Sequence, residues 1–244
     1  MPKKSENEIS RRLFLATAVG AAAPLLTWAK NDVPVLLDHI LLGCSDLDSG
    51  IDLLERRTGV RPAFGGVHPG RGTRNALLSL GERRYLEVIA PDPKQDRVED
   101  FAQKQVARLK GLASPRLIGW AAHPGNLETF AAHLRDVGIL FDGPRPGSRQ
   151  RPDGKLLQWK TLNLKDDEDG LLPFFIEWSA ASPHPSTDAP KGCALRNFQA
   201  AAPTDQELAK IIQQLQLDIA ISKGEKAVLQ AIIVGPKGDL SVSS

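Results

Sequence analysis

Residues 85–89 read Tyr-Leu-Glu-Val-Ile and residues 174–178 read Phe-Phe-Ile-Glu-Trp, and the rest of the chain is organised around these two similar stretches. Each is a strand-like apolar run with one carboxylate near its centre, Glu87 in the first and Glu177 in the second. An ionised glutamate is costly to bury unless it is paired or binds something. Its occurrence at matching points of two segments predicts a duplicated fold with a site between the halves.

The chain around these stretches repeats one order of elements. Residues 33–44 (VPVLLDHILLGC) predict an aliphatic strand, Asp46 caps a helix that runs to about Arg57, and three strand candidates follow. The same βαβββ order recurs after residue 115, where Asn126 caps the second helix. The predicted fold class is therefore α+β, with tandem βαβββ modules at about residues 33–93 and 115–185.

A third copy is arguable at the C-terminus. Residues 191–244 contain a strand, a helix with apolar residues at 3.6-residue spacing, and three more strands. We therefore expect an additional βαβββ-like unit there. It either packs on the first two modules or pairs with a second chain in a homodimer.

The N-terminus has the features of an export signal. Arg11 and Arg12 precede a mild apolar run, Ala16–Trp28, which ends in small residues. The run is shorter than the roughly 20 apolar residues that a membrane span requires. We therefore predict a twin-arginine signal peptide over residues 1–29, and a periplasmic or secreted protein without a membrane anchor after cleavage.

Charge and cysteine content exclude some classes of function. Residues 1–29 hold four of the 31 basic and two of the 29 acidic residues, which leaves 27 of each in the remainder. A neutral chain without a basic aromatic surface pattern does not indicate nucleic-acid binding. The two cysteines, Cys44 and Cys193, do not make a disulfide framework, so we expect two buried free thiols, with a single disulfide as the alternative.

Several motifs together resemble a known family. These are Leu37-Asp38-His39-Ile40, the capped helix after it, the glycine-rich segment 64–75, Tyr85-Leu86-Glu87 and Phe175-Ile176-Glu177-Trp178. They are similar to the vicinal-oxygen-chelate superfamily (glyoxalase, bleomycin resistance and extradiol dioxygenase), and within it to the glyoxalase-like domain proteins. The resemblance implies a glyoxalase-like domain over residues 30–190, in which the two modules form a curved mixed sheet around a cavity.

The resemblance also implies a set of metal ligands. Metal-dependent members carry one ligand on the first and one on the last strand of each module, which corresponds here to His39, Glu87, Gly119 and Glu177. Gly119 has no side chain to bind with. The remaining three residues form a His-plus-two-carboxylate set that would suit a divalent Zn, Mn, Ni or Fe ion. Without a metal, His39 and Glu87 could act as an acid–base pair.

Two loops supply candidate substrate contacts. Residues 65–75 are rich in glycine, and residues 143–154 carry three arginines at the equivalent place in the second module. Arginine binds carboxylates and phosphates through two parallel hydrogen bonds, which indicates a small anionic ligand. Trp159 is either a substrate contact or a structural residue of the hydrophobic core. His184 either closes the edge of the second module or lies in a loop. The predicted substrate-binding residues are His68, Arg71, Thr73, Asn75, Arg151 and Trp159.

Three functions are compatible with this interpretation. The first is an exported metal-dependent lyase or isomerase of glyoxalase type, with His39, Glu87 and Glu177 as catalytic residues. The second is a binding protein that sequesters a small molecule on the same fold without turnover. The third is an extradiol-type dioxygenase, which normally requires two histidines and one glutamate. Fold does not choose between them, because one fold hosts many functions.

Overall fold

The first module has the element order that the sequence predicts. The computed structural model describes residues 33–151, 153–165, 167 and 170–244, so the predicted signal peptide lies outside the described residues. Asp46 caps the first helix, because its carboxylate accepts a hydrogen bond from the backbone N–H of Ser49. The helix ends at Gly59, whose φ of 83° favours glycine. The elements are β1 (Leu37–Gly43), α1 (Leu47–Thr58), β2 (Ala63–His68), β3 (Thr73–Ser79) and β4 (Tyr85–Pro91).

The second module repeats this order after a connecting helix. One predicted loop, 143–154, is mostly strand in the structure. It contains Pro144 and Pro146, which the sheet tolerates because this strand is an edge strand that pairs on one side only. The elements are α2 (Asp100–Lys110), β5 (Arg116–Ala122), α3 (Leu127–Asp136), β6 (Phe141–Gln150), β7 (Leu156–Leu164) and β8 (Phe174–Trp178).

The two modules share one eight-stranded sheet, in the order β2-β3-β4-β1-β5-β8-β7-β6. Within each module the first strand runs parallel to the last, and the modules meet where β1 pairs antiparallel with β5. The sheet curls until its two edge strands approach each other, so that the guanidinium of Arg149 on β6 donates to the carbonyl of Gly65 on β2. This arrangement confirms the predicted curved sheet of paired βαβββ modules.

Side chains alternate between the two faces of the sheet. On β4, Leu86 and Val88 point into the apolar core beneath the helices, whereas Tyr85 and Glu87 point to the concave face and contact His39. The convex face therefore builds the core. The concave face carries a cluster of buried polar side chains, among them His39, Asn75 and Glu87.

The C-terminal unit forms a second sheet. Its element order is the predicted βαβββ, but its strands pair as β10-β9-β11-β12, so its first strand lies between the second and third instead of beside the last. It packs on the first two modules, where Phe198 meets Trp120 with ring centroids 5.3 Å apart. The elements are β9 (Ala194–Ala202), α4 (Asp205–Gln214), β10 (Ala220–Lys223), β11 (Val228–Gly235) and β12 (Gly238–Ser243).

Both cysteines are buried free thiols, as expected. Burial raises the pKa of Cys44 to about 12, so this thiol is protonated at neutral pH. No helix in the described part of the chain combines the length and apolar character needed to cross a bilayer.

Candidate functional site

A polar cluster on the concave face is centred on Glu87, which is 8% exposed. The Nδ2 of Asn75 donates a hydrogen bond to Glu87 Oε1 at 2.7 Å. Two imidazoles face the same carboxylate: His39 Nε2 lies 3.6 Å from Oε2, and His68 Nε2 lies 3.7 Å from Oε1. Four of the residues predicted from sequence are thus brought together, and they come from four different strands of the first module.

Each histidine is oriented by a partner on its other nitrogen. His39 Nδ1 lies 2.7 Å from Asp38 Oδ1, and His68 Nδ1 lies 2.9 Å from the hydroxyl of Thr73. Because an ionised carboxylate only accepts hydrogen bonds, the proton on this side of His39 is on Nδ1. Nε2 of His39 therefore faces Glu87 while Asp38 holds the opposite side of the ring.

Asp38 is a second buried carboxylate, with no exposed surface. Besides His39 it contacts His184 Nε2 at 3.2 Å, and it accepts a hydrogen bond from the indole N–H of Trp178 at 3.1 Å. Burial alone would raise the pKa of Asp38, but the hydrogen bonds from His184 and His39 outweigh burial and hold this pKa far below its ordinary range. Asp38 is therefore ionised at neutral pH.

The ionisation of Glu87, like that of Asp38, depends on burial on one side and on its neighbouring groups on the other. Burial raises the pKa of Glu87, but the imidazoles of His68 and His39 and the N–H of Asn75 more than offset it, so the pKa is lowered. Burial also lowers the pKa of His68 to about 4. At neutral pH the cluster thus holds an anionic Glu87 beside a neutral His68.

Aromatic rings hold the His39 imidazole in place. Tyr85 stacks on it with ring centroids 4.4 Å apart and planes 20° apart, and Phe174 of the second module meets its edge at 5.4 Å. Burial raises the pKa of Tyr85 well above its ordinary range, so this ring remains a neutral phenol. The imidazole therefore has little freedom to turn away from Glu87.

A closing segment, residues 182–190, crosses the open side of the curled sheet. At one end Ser182 Oγ accepts from the backbone N–H of Gln158 on β7, and at the other the carbonyl of Pro190 accepts from Ser79 on β3. His184 anchors the middle to Asp38. His184 is thus 8% exposed and part of the site's wall, which resolves the two sequence-based alternatives in favour of closing the second module.

A cavity of about 220 Å³ opens between the modules beside this cluster. It is smaller than the roughly 300–1,000 Å³ of drug-sized sites, which indicates a small ligand. Its wall consists of Ala63, Phe64, Gly65, Leu77, Arg149, Arg151, Asp153, Leu157, Pro185, Asp188 and Ala189.

The remaining predicted substrate contacts are placed differently. Arg151 lines the cavity, where it forms ion pairs with Asp188 at 2.5 Å and Asp153 at 3.3 Å. Trp159 lies against Trp178, with ring centroids 5.4 Å apart. Arg71 lies over the exposed ring of Phe101, at 5.7 Å, and is neither in the Glu87 cluster nor in the cavity wall.

Glu177 does not join the cluster, which corrects the predicted set of three ligands. It shares the convex face of β8 with Phe175, which packs on Phe130 of α3. Its Oε2 accepts a hydrogen bond from the backbone N–H of Leu127 at 2.7 Å. An anion at this position is stabilised by the positive end of the helix dipole, so Glu177 is a helix-capping residue.

The reason for this error is the parity of the two strands. Tyr85 stands beside His39 in the first module, and Phe174 stands beside Ala121, two residues from Gly119, in the second. Glu87 lies two residues after Tyr85, whereas Glu177 lies three residues after Phe174. An odd number of residues moves a side chain to the other face of a strand, so the two glutamates point to opposite faces of the sheet.

The described residues do not fit the metal centre that the resemblance implies. No group of three or more His, Cys, Asp or Glu residues in the described ranges is arranged to hold a metal ion. His68 is near Glu87, but its Nε2 and Glu87 Oε1 both face the amide N–H of Asn75, at 3.4 and 2.7 Å. His39 and Glu87 alone are fewer than the three protein ligands of a typical catalytic zinc site.

Four residues of the site were missed at the sequence level as site residues: Asp38, Tyr85, Arg149 and Trp178. Asp38 carried the same signal as Glu87, a lone acid inside an apolar strand. Arg149 could not be separated from its neighbours Arg145 and Arg151, because only the curl of the sheet brings β6 against β2.

Known structures share this fold. A hypothetical protein from Staphylococcus aureus superimposes with a TM-score of 0.57 and 16% identity, over 85% of this chain and 84% of that one. Methylmalonyl-CoA epimerase from Mycobacterium tuberculosis is similar at a TM-score of 0.44 and 18% identity, over 62% of this chain and 93% of that one. No curated protein sequence matches this chain.

The sequence itself matches a family model. The model of the glyoxalase-like domain matches residues 37–216, which includes both modules and continues through β9 and α4. This match extends beyond residue 190, where the domain was expected to end. It covers well over half of the chain, and the chain therefore belongs to the glyoxalase-like domain family.

Proposed function

We propose that this protein is an enzyme that transfers a proton on a small molecule bound in the cavity, a reaction of lyase or isomerase type. One observation carries the proposal. The buried Glu87 carboxylate faces His39 Nε2 at 3.6 Å, while Asp38 holds the opposite side of the same imidazole at 2.7 Å. A buried carboxylate, an oriented imidazole and an adjacent cavity are the components of general acid–base catalysis.

The geometry explains how the pair would work. With Nδ1 of His39 held by Asp38, His39 Nε2 faces Glu87 Oε2 at 3.6 Å. Glu87 would accept a proton from an acidic C–H of the substrate, and His39 would exchange a proton with the adjacent oxygen of the substrate.

Burial strengthens this chemistry. Electrostatic interactions are larger where water is excluded, and both His39 and Glu87 are more than nine-tenths buried. Asp38 and Tyr85 fix the imidazole before substrate arrives, so little reorganisation is needed during proton transfer.

Exchange of substrate protons with solvent tests the proposal. The purified protein is incubated in D₂O with small carbonyl compounds that carry an acidic C–H, both charged and neutral, and loss of the C–H signal is followed by NMR. We expect exchange above the uncatalysed rate for a subset of the panel. Compounds that bind without exchange would instead support the alternative, a non-catalytic binding protein.

Metal content tests the metal-dependent forms of the proposal. Superfamily members often bind divalent metals, and the metal-dependent lyase of glyoxalase type and the extradiol dioxygenase both require one. His39, His68 and Glu87 are of the right types for the latter, but Asn75 occupies the approach to two of the donor atoms. The protein is purified without a His tag and its content of Zn, Mn, Ni and Fe is measured. One equivalent of metal in the wild type that is lost in His39→Ala would refute the metal-free mechanism and support a metal-dependent one.

We also propose export through the twin-arginine pathway, from Arg11 and Arg12 ahead of a weakly apolar run. The double substitution Arg11→Lys and Arg12→Lys preserves charge and is expected to leave the precursor in the cytoplasm. Cell fractionation and immunoblotting measure this, and Lys3→Arg with Lys4→Arg is the matched control. Export of the twin-lysine variant at the wild-type level would refute the proposal.

A further inference from the structure

Arg149 is a buried cation that the proton-transfer mechanism does not use. The side chain is 4% exposed. Its Nη1 donates to the carbonyl of Gly65 and, at 3.3 Å, to Oδ1 of Asn75. No Asp or Glu among the described residues lies within ion-pair distance of it. Burial lowers the pKa of Arg149, and the charge of Glu87, on the other side of Asn75, offsets this only in part.

The other guanidinium nitrogens of Arg149 have room for a ligand. Nε and Nη2 make no hydrogen bond with the described residues, and Arg149 forms part of the cavity wall. Among the described side chains, the only fully buried nitrogen or oxygen without a partner is Nε of Arg74. The free nitrogens of Arg149 are therefore open to the cavity.

We propose that Arg149 binds the carboxylate of the substrate, so that the ligands of this cavity are small organic carboxylic acids. The planar guanidinium matches a carboxylate through two parallel hydrogen bonds, and no carboxylate of the described residues occupies that position by direct contact. Apolar side chains on the cavity wall, Phe64, Leu77, Leu157 and Pro185, would contact the rest of the molecule.

The charge of the cavity favours a monoanion over a phosphate dianion. The other cation on its wall, Arg151, is already paired with Asp188 and Asp153. Arg149 is thus the cation of the described wall residues that no carboxylate contacts directly. Asp153, Asp188 and the nearby Glu87 outnumber the two arginines, so a ligand with one negative charge is repelled less than a phosphate dianion.

This inference rests on the proposed function and specifies its substrate class, because Asn75 contacts both Arg149 and Glu87. Asn75 accepts from Arg149 at Oδ1 and donates to Glu87 at Nδ2. The anion site and the base are therefore one side-chain amide apart. A substrate held at Arg149 would present to Glu87 a C–H close to its own carboxylate.

Calorimetric titration tests this assignment. The probes are 2-hydroxybutyrate and 2-oxobutyrate, their neutral amides, and inorganic phosphate. We expect the carboxylates to bind the wild-type protein at least about tenfold more tightly than the amides or phosphate, since a charged hydrogen-bonded contact contributes about 1.5–3 kcal/mol. Arg149→Gln should remove this preference, and Arg149→Lys should retain part of it.

Arg71→Gln is the matched control, because Arg71 lies outside the cavity wall, and its affinities should equal those of the wild type. Amides or phosphate binding as tightly as the carboxylates to the wild type would overturn the assignment, whatever the folding of the variants. The assignment would fail equally if Arg149→Gln kept the preference, or if no carboxylate bound with a Kd below about 10 mM.

The outcome separates this inference from the proposed function. Carboxylates that bind through Arg149 without exchanging protons would refute catalysis and leave the anion site standing. Proton exchange confined to neutral carbonyl compounds would refute the anion site and leave the role of Glu87 standing.

Discussion

Replacing Glu87 with Gln is expected to slow proton exchange on the substrate by about 10²–10⁴-fold, the usual contribution of a general base. Gln has the same shape, and its carbonyl oxygen can still accept the hydrogen bond that Asn75 donates to Glu87. The cavity should therefore remain intact, and calorimetric affinity should stay close to the wild-type value. The rate of C–H loss in D₂O, measured at saturating ligand, gives the comparison.

Glu177→Gln is the control for this variant, because Glu177 is the glutamate that the second module carries in the corresponding strand. It lies on the opposite face of the sheet and caps α3. Its exchange rate should match the wild type, while the free energy of unfolding falls by about 0.3–1 kcal/mol, because Gln keeps an acceptor for the N–H of Leu127 but loses the charge at the helix N-terminus. A Glu87→Gln enzyme that works at the wild-type rate, or an inactive but folded Glu177→Gln, would contradict the assignment.

Replacing Asp38 with Ala is expected to lower the free energy of unfolding by about 3–5 kcal/mol, as when one partner of a buried ionic contact is removed. The change would leave His39, His184 and the indole N–H of Trp178 without their shared acceptor. For a chain of this size the corresponding fall in Tm is roughly 10 °C. Urea unfolding followed by circular dichroism measures the free energy of unfolding, and thermal unfolding measures Tm.

Asp52→Ala is the matched control, because Asp52 is an exposed aspartate whose ion pair with Arg61 is on the surface. Surface pairs contribute about 0–1 kcal/mol, so this variant should remain near wild type. Equal effects of the two substitutions would show that Asp38 does not organise the site.

The depressed pKa of Asp38 also predicts a pH dependence. A carboxyl whose pKa is lower in the folded state contributes its full stability above its unfolded pKa, near 3.9, and loses it as the pH falls below that value. The wild-type protein should therefore lose stability between about pH 5 and the acid limit of the assay. Asp38→Asn should lose less over the same range, because its buried side chain does not titrate.

Local sequence signals were sufficient for the secondary structure. Asp46 and Asn126 cap their helices through side-chain hydrogen bonds, as predicted. The exception is β6, which occupies most of the segment predicted as a loop, residues 143–154. This segment is a strand because it pairs with β7 at the sheet edge, and such pairing cannot be predicted from a single segment.

About half of the residues of the candidate site could be predicted from the sequence. Glu87 was identified because an acid inside an apolar strand requires a partner. His39, His68, Thr73 and Asn75 were identified from the family resemblance of the first strand and the glycine-rich segment. Glu177 was assigned wrongly, because similarity between two short stretches does not fix strand parity to within one residue. Asp38 had been interpreted only as the neighbour of His39, although it is the acceptor that joins β1, β8 and the closing segment.

The sequence by itself determined the duplicated βαβββ order, the family, and a polar cluster in the first module, because these depend on patterns along a strand or helix. Only the tertiary structure decided which face each carboxylate occupies, since the register of β8 against β5 gives Glu177 the opposite parity to Glu87 and places it on the helix side. It also decided that Arg149 lies beside Asn75, because that contact depends on the curl which brings the two edges of the sheet together.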